Sequence, residues 1–253
     1  MVPVTQSLLR NGFSIMLHGT AATVVLLRDD PEGLQVLLLE RPRHRGSFAG
    51  AWVFPGGVVD PGDAVNSGTA VEAADGDDAN LASARRAGVR ETAEETGLVL
   101  QPQQLVRLSC WVPPPEAPRR WKTEFFLAPA PAGDITLSPE EHVDAVWLTP
   151  AEALRRGHEG TMDLVPPTWV TLHGLLGRKS VAEALAAAAA AVPETYATRM
   201  LPGREPSVMV WPGDPEYPDT GEDTGENTRE TADVSARHRL VRDGTGWIYQ
   251  RTT

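Results

Sequence analysis

Residues 81–97, LASARRAGVRETAEETG, leave little freedom about what can surround them. Glu91, Glu94 and Glu95 fall within about one helical turn, directly before Gly97. Asn80 suits an N-cap and Gly97 suits the left-handed position past a helix end, so the spacing predicts a helix from Leu81 to Thr96. At about 100° per residue, Ala82, Val89 and Ala93 share one side, which is expected to pack on a sheet. The glutamates take the opposite side. Ala84, Ala87 and Gly88 continue it, and such small residues imply a second layer above the helix. Two carboxylates about 4 Å apart repel by about 4 kcal/mol at an effective dielectric of about 20. A divalent cation removes that cost, and an all-oxygen donor set suits Mg²⁺ or Mn²⁺. Arg90, one turn before Glu94, can orient it. On spacing alone, a solvated acidic helix end remains the competing account.

The flanking sequence supplies the sheet. TAATVVLLRDD and LQVLLLERP are β-rich runs separated by Asp29-Asp30-Pro31-Glu32-Gly33, which reads as a hairpin turn. AWVFPGG is a third short strand that stops at Pro55, and further strands are expected from Leu105, Trp121 and Val143. Thr149-Pro150-Ala151-Glu152 and Ser180-Val181-Ala182-Glu183 both carry the start signature of a helix. PPTWVTLHGLLG predicts another from about Thr168. Strands, one helix, strands and then helices read as an α/β or α+β sandwich. Residues 213–236 are acidic and poor in apolar side chains, and are expected to form a mobile loop before a terminal strand or hairpin around Gly244.

Lys and Arg number 23 against 34 Asp and Glu, a net charge of −11, which argues against broad contact with a nucleic-acid backbone. Cys110 is the only cysteine, so no internal disulfide can form and a reducing, cytoplasmic location is expected. The start of the chain lacks a signal-peptide core, and no apolar run is long enough to span a bilayer.

FPGG at Phe54–Gly57 and RETAEETG at Arg90–Gly97 together resemble the Nudix box, G-x5-E-x7-R-E-U-x-E-E-x-G-U with U apolar. Gly57, five residues and Asp63 match its first part, with Asp for Glu. Arg90 to Leu98 match its second part, with Thr92 at an apolar position. The box expects seven residues before its Arg, whereas 26 stand between Asp63 and Arg90. The extra residues read as an insertion, 64–79, within a single domain covering 1–253. The resemblance implies an α/β/α sandwich around a mixed sheet, here with extra C-terminal helices. It also implies Mg²⁺- or Mn²⁺-dependent hydrolysis of a diphosphate bond in a nucleoside diphosphate conjugate. By position, Glu91 and Glu95 become the main metal ligands and Glu94 a further one, with the Gly56 carbonyl completing the set. A loop acid often serves as ligand or base in this family. Glu140 and Glu141 are the candidates, with Glu141 taken as the catalytic one beside Glu91, Glu94 and Arg90.

A narrower resemblance joins ERPRHRGSFAGAWVFPGGVVD, RRWKTEFFL, PPTWVTL and WPGDPEYP to the branch containing coenzyme A diphosphatases, which also carries an insertion in the box. It implies cleavage of CoA to 3′,5′-ADP and 4′-phosphopantetheine. Arg41, Arg43 and Arg45, just ahead of the glycine turn, would then bind substrate phosphate, the 3′-phosphate included. Arg119, Arg120 and Lys122 form a second basic group. ADP-ribose, NADH or a nucleotide sugar are the competing substrates, and a non-catalytic ligand-sensing module is the competing class. A homodimer remains open.

Overall fold

A computed structural model describes residues 17–44, 48–64, 76–218, 235–244 and 246–252. Arg45, residues 65–75 of the expected insertion and residues 219–234 of the expected acidic loop lie outside them.

The hairpin forms as expected. β1 (Gly19–Asp30) turns through Pro31 and Glu32 into β2 (Gly33–Glu40), with Asp30 opposite Gly33. Successive residues of β1 point to opposite faces. Ala22, Val24 and Leu26 enter one apolar cluster, while Val25 and Leu27 enter another. Both faces must therefore be covered. α1 (Gly76–Thr96) covers the first, and α2 (Pro150–His158), α3 (Pro166–Gly174) and α4 (Val181–Ala190) contribute to the second. Between them lie the short strands β3 (Ala51–Val53) and β4 (Gly56–Val58), then β5 (Val106–Val112), β6 (Trp121–Pro129), β7 (Asp144–Leu148), β8 (Asp163–Leu164) and β9 (Glu194–Ala197). The order is β8-β3-β2-β1-β6-β5-β9, with β4 added on β1 and β7 on β2. β1 pairs antiparallel with β2 and β4 but parallel with β6, so the sheet is mixed. This is the α/β/α sandwich that the resemblance implied. As expected, Thr149 and Ser180 cap α2 and α4 by accepting the backbone N–H of Glu152 and Glu183.

Four features differ from the sequence reading. α1 begins at Gly76 rather than Leu81, so Asn80 lies inside the helix and residues 76–79 of the expected insertion form its first turn. Once nucleated, a helix gains one hydrogen bond for each residue it adds, and an exposed Asn is tolerated there. α3 likewise starts at Pro166, whose fixed φ suits the first helical position.

The third difference matters most for the site. The small-residue side of α1 is the side against the sheet. Ala84 and Ala87 are fully buried, and a Cβ at Gly88 would come within 2.9 Å of Val24. Val89 and Ala93 are only partly buried, and the helices contributing to the core lie on the other face of the sheet. Small side chains let the helix axis approach β1 closely, which brings Glu91 and Glu95 down to the sheet edge.

The fourth concerns residues 213–236. Residues 213–218 pack against a second sheet, β10 (Arg199–Met200), β11 (Val208–Val210), β12 (His238–Asp243) and β13 (Gly246–Arg251), in the order β10-β11-β12-β13. Asp214 is buried and takes a two-pronged contact from Arg239 at 2.7 and 2.5 Å plus the N–H of His238 at 3.0 Å. Charge-assisted bonds offset its burial. Composition counts the acid and does not reveal a partner 25 residues later.

Candidate metal centre

Glu95 sits in the last turn of α1, which Gly97 terminates in the left-handed conformation (φ 74°). It is 3% exposed. Its Oε2 accepts the N–H of Gly56 at 2.8 Å, which ties the helix end to the start of β4. Its backbone carbonyl accepts from Ser138 at 3.2 Å, while Thr96 accepts from Thr136 at 2.8 Å. These bonds draw the segment before β7 over the helix end. One carboxylate oxygen each from Glu91, Glu95 and Glu141 then lies within 4.8 Å of the others. Glu91 crosses directly over the glycine turn: a Cβ at Gly57 would stand 2.4 Å from its carboxylate. Only glycine leaves room for that approach.

Burial pushes the Glu95 carboxyl up to about 8, and Glu91 and Glu141 push the same way. The Gly56 N–H and Arg41 oppose them without prevailing. Burial raises Glu91 as well, against the pull of Arg90. Carboxylates held together at this cost fit a divalent cation, and the all-oxygen donor set fits Mg²⁺ or Mn²⁺.

Arg90 joins the two parts of the motif. It donates to Asp63 through Nε and Nη2 (3.2 and 2.9 Å), to the Val58 carbonyl (3.0 Å), to Glu91 (2.8 Å) and to Glu94 (3.0 Å). Burial alone would raise the Asp63 carboxyl, yet hydrogen bonds from Arg90 and the Asp60 N–H hold it below the usual carboxylate range. Asp63 thus anchors Arg90, and Arg90 in turn fixes Glu91. The 26 intervening residues do not separate the parts in space.

Not every expected residue converges. Glu94 is exposed and remains outside the three-carboxylate group, held by Arg90. Glu140 is also outside it, whereas Glu141 is inside. Arg41 is half-buried, and its charge acts on both Glu95 and His142. Its Nε is buried without a hydrogen-bond partner among the described residues. The Arg43 side chain is 83% exposed and pairs with Glu40 at 3.2 Å. Arg120 is buried and donates to the carbonyls of Pro113 and Pro114, so it serves the fold. His142 escaped the sequence reading altogether. Its position next to Glu141 was the one available signal.

The family model described as NUDIX domain matches residues 17–72. No curated protein sequence matches the chain. A Nudix hydrolase from Alicyclobacillus acidocaldarius is similar in structure, with 25% identity and a TM-score of 0.57, covering 68% of this chain and 96% of its own. A MutT Nudix hydrolase from Burkholderia pseudomallei has 22% identity and a TM-score of 0.43, covering 61% of this chain and 95% of its own. The NUDIX domain of Shewanella oneidensis NrtR, solved with ADP ribose, has 18% identity and a TM-score of 0.45, covering 64% of this chain and 86% of its own.

Proposed function

We propose that this chain, which belongs to the Nudix hydrolase superfamily, hydrolyses the diphosphate bond of coenzyme A. Superfamily membership makes it a hydrolase of diphosphate bonds; the choice of CoA is the further step. The observation that carries the catalytic reading is the convergence of Glu91, Glu95 and Glu141 on one point. That intact group speaks against a ligand-sensing module, which has no use for clustered carboxylates that repel.

Glu91, Glu95 and Glu141 would hold Mg²⁺ or Mn²⁺, with the Gly56 carbonyl as a further ligand on the family pattern. A cation bound there supplies positive charge to the phosphoryl oxygens and makes an attacking water more acidic. Glu141 is the most exposed of the three and can take the proton from that water. Arg90 keeps Glu91 in place. Water adds across one P–O bond of the diphosphate, giving 3′,5′-ADP and 4′-phosphopantetheine. Among the described residues, no helix is long and apolar enough to cross a membrane.

Substrate choice rests on the basic segment after β2. Arg41 faces the carboxylates and suits the diphosphate, while exposed Arg43 suits the 3′-phosphate that ADP-ribose lacks. A charge-assisted bond contributes roughly 1.5 kcal/mol at its lower end, about tenfold. Arg43 is solvated, and an exposed pair contributes less, about 1 kcal/mol at most. CoA should therefore exceed dephospho-CoA by up to about fivefold in kcat/KM, and Arg43→Ala should erase most of the gap. The check is product formation, read by chromatography as the two phosphomonoesters, on CoA, dephospho-CoA, ADP-ribose and NADH with Mg²⁺ and with Mn²⁺. Equal rates for CoA and dephospho-CoA, or a clear preference for ADP-ribose or NADH, would move the substrate to those conjugates.

A further inference from the structure

His142 is 1% exposed, and neither ring nitrogen makes a hydrogen bond among the described residues. Buried polar groups are nearly always partnered, so an orphaned imidazole needs a reason. Its Nε2 lies 3.4 Å from Oε1 of Glu95. That is just beyond hydrogen-bond range, and a shift of roughly half an ångström would close it. The other oxygen of the same carboxylate is already held by Gly56. Two anchors fix the ring's position from outside: its own backbone N–H donates to Ser138 at 3.0 Å, and Ser138 donates to the Glu95 carbonyl at 3.2 Å.

We propose that His142 is a positioning residue for the metal centre: its Nε2–H holds Oε1 of Glu95 while the Gly56 N–H holds Oε2. The inference rests on Glu95 being a metal ligand. Each carboxylate oxygen has two lone pairs, so both can accept a hydrogen bond and still face a cation. Held on both oxygens, the carboxylate has lost its rotational freedom before the cation arrives. Partners of this kind around metal ligands typically change affinity by about 10- to 100-fold.

Two polar substitutions separate positioning from packing. His142→Gln places an amide nitrogen where Nε2 stands. His142→Asn places one where Nδ1 stands, out of reach of Glu95. Mn²⁺ affinity, read from the electron paramagnetic resonance signal of free Mn²⁺, should fall about 10- to 100-fold in His142→Asn and stay within about threefold in His142→Gln. Equal affinity in both variants and wild type, or equal loss in both, would overturn the proposal. Glu95→Gln serves as the control. If it leaves Mn²⁺ binding intact, the metal-site reading itself has failed. If it abolishes binding while His142→Asn does not weaken it, only the positioning role has failed. A measurement on the wild type needs no variant: side-chain ¹⁵N spectra of the Mg²⁺-loaded protein should show His142 protonated on Nε2. Protonation on Nδ1 would contradict the proposed bond.

Discussion

Glu95→Gln is expected to lower turnover by about 10²–10³-fold or more at saturating Mg²⁺ while leaving the fold intact, since an aimed electrostatic group is lost and the shape is kept. The same substitution should change how the metal-free protein responds to pH. The Glu95 carboxyl is raised to about 8 in the fold by burial and by Glu91 and Glu141. In the unfolded chain it titrates near the ordinary value of about 4.3. Between those values the folded state binds more protons than the unfolded one, so stability falls as pH rises through the window and levels off above about 8. Gln cannot ionise, so the variant should lose that contribution to the slope and melt higher than metal-free wild type at pH 8. Mn²⁺ should also bind wild type more tightly as pH approaches 8, because binding below it must displace a proton. Thermal melts and Mn²⁺ titrations at pH 5, 6.5 and 8 read all three effects. Near-wild-type turnover in the variant would remove Glu95 from the site.

Arg90→Met is expected to damage stability and turnover together. It strands Asp63, whose side chain is 6% exposed, without its counterion. Breaking such a pair costs about 3 kcal/mol. For a chain of this size that lowers the melting temperature by roughly 6–12 °C. Turnover should drop by at least about a hundredfold, because Glu91 loses the donor at 2.8 Å that aims it. Adding Asp63→Asn separates the two effects. With no buried charge left unpaired, the double variant should regain part of the melting temperature, yet Glu91 is still unsupported and turnover should stay low. Recovery of both would reduce Arg90 to a scaffold residue. Recovery of neither would mean that its bonds to Val58 and Glu94 matter more than the one to Asp63.

Much of this was legible in residue order because it depends on local rules. Alternating apolar residues in β1, the Pro-Glu turn, the caps at Thr149 and Ser180 and the terminator at Gly97 all act over a few residues. The three-glutamate turn and its kinship to a known motif were equally plain. Side-chain chemistry and spacing together pointed to an all-oxygen donor set. Which glutamates converge was a different matter. Spacing placed Glu91, Glu94 and Glu95 on one side of a helix, and assigned that side away from the sheet. The structure puts Ala84, Ala87 and Gly88 against β1, so Glu91 and Glu95 turn inward and Glu94 outward. A pattern of small residues states that something approaches closely and is silent about what. Glu141 and His142 reach the site only because backbone bonds from Thr136 and Ser138 fold their segment over the end of α1. Asp63 and Arg90 meet across 26 residues for the same reason. The sequence by itself determined the sandwich and the acidic turn. Tertiary packing alone decided which carboxylates converge, because that depends on how near a helix of alanines and glycine can come to a strand.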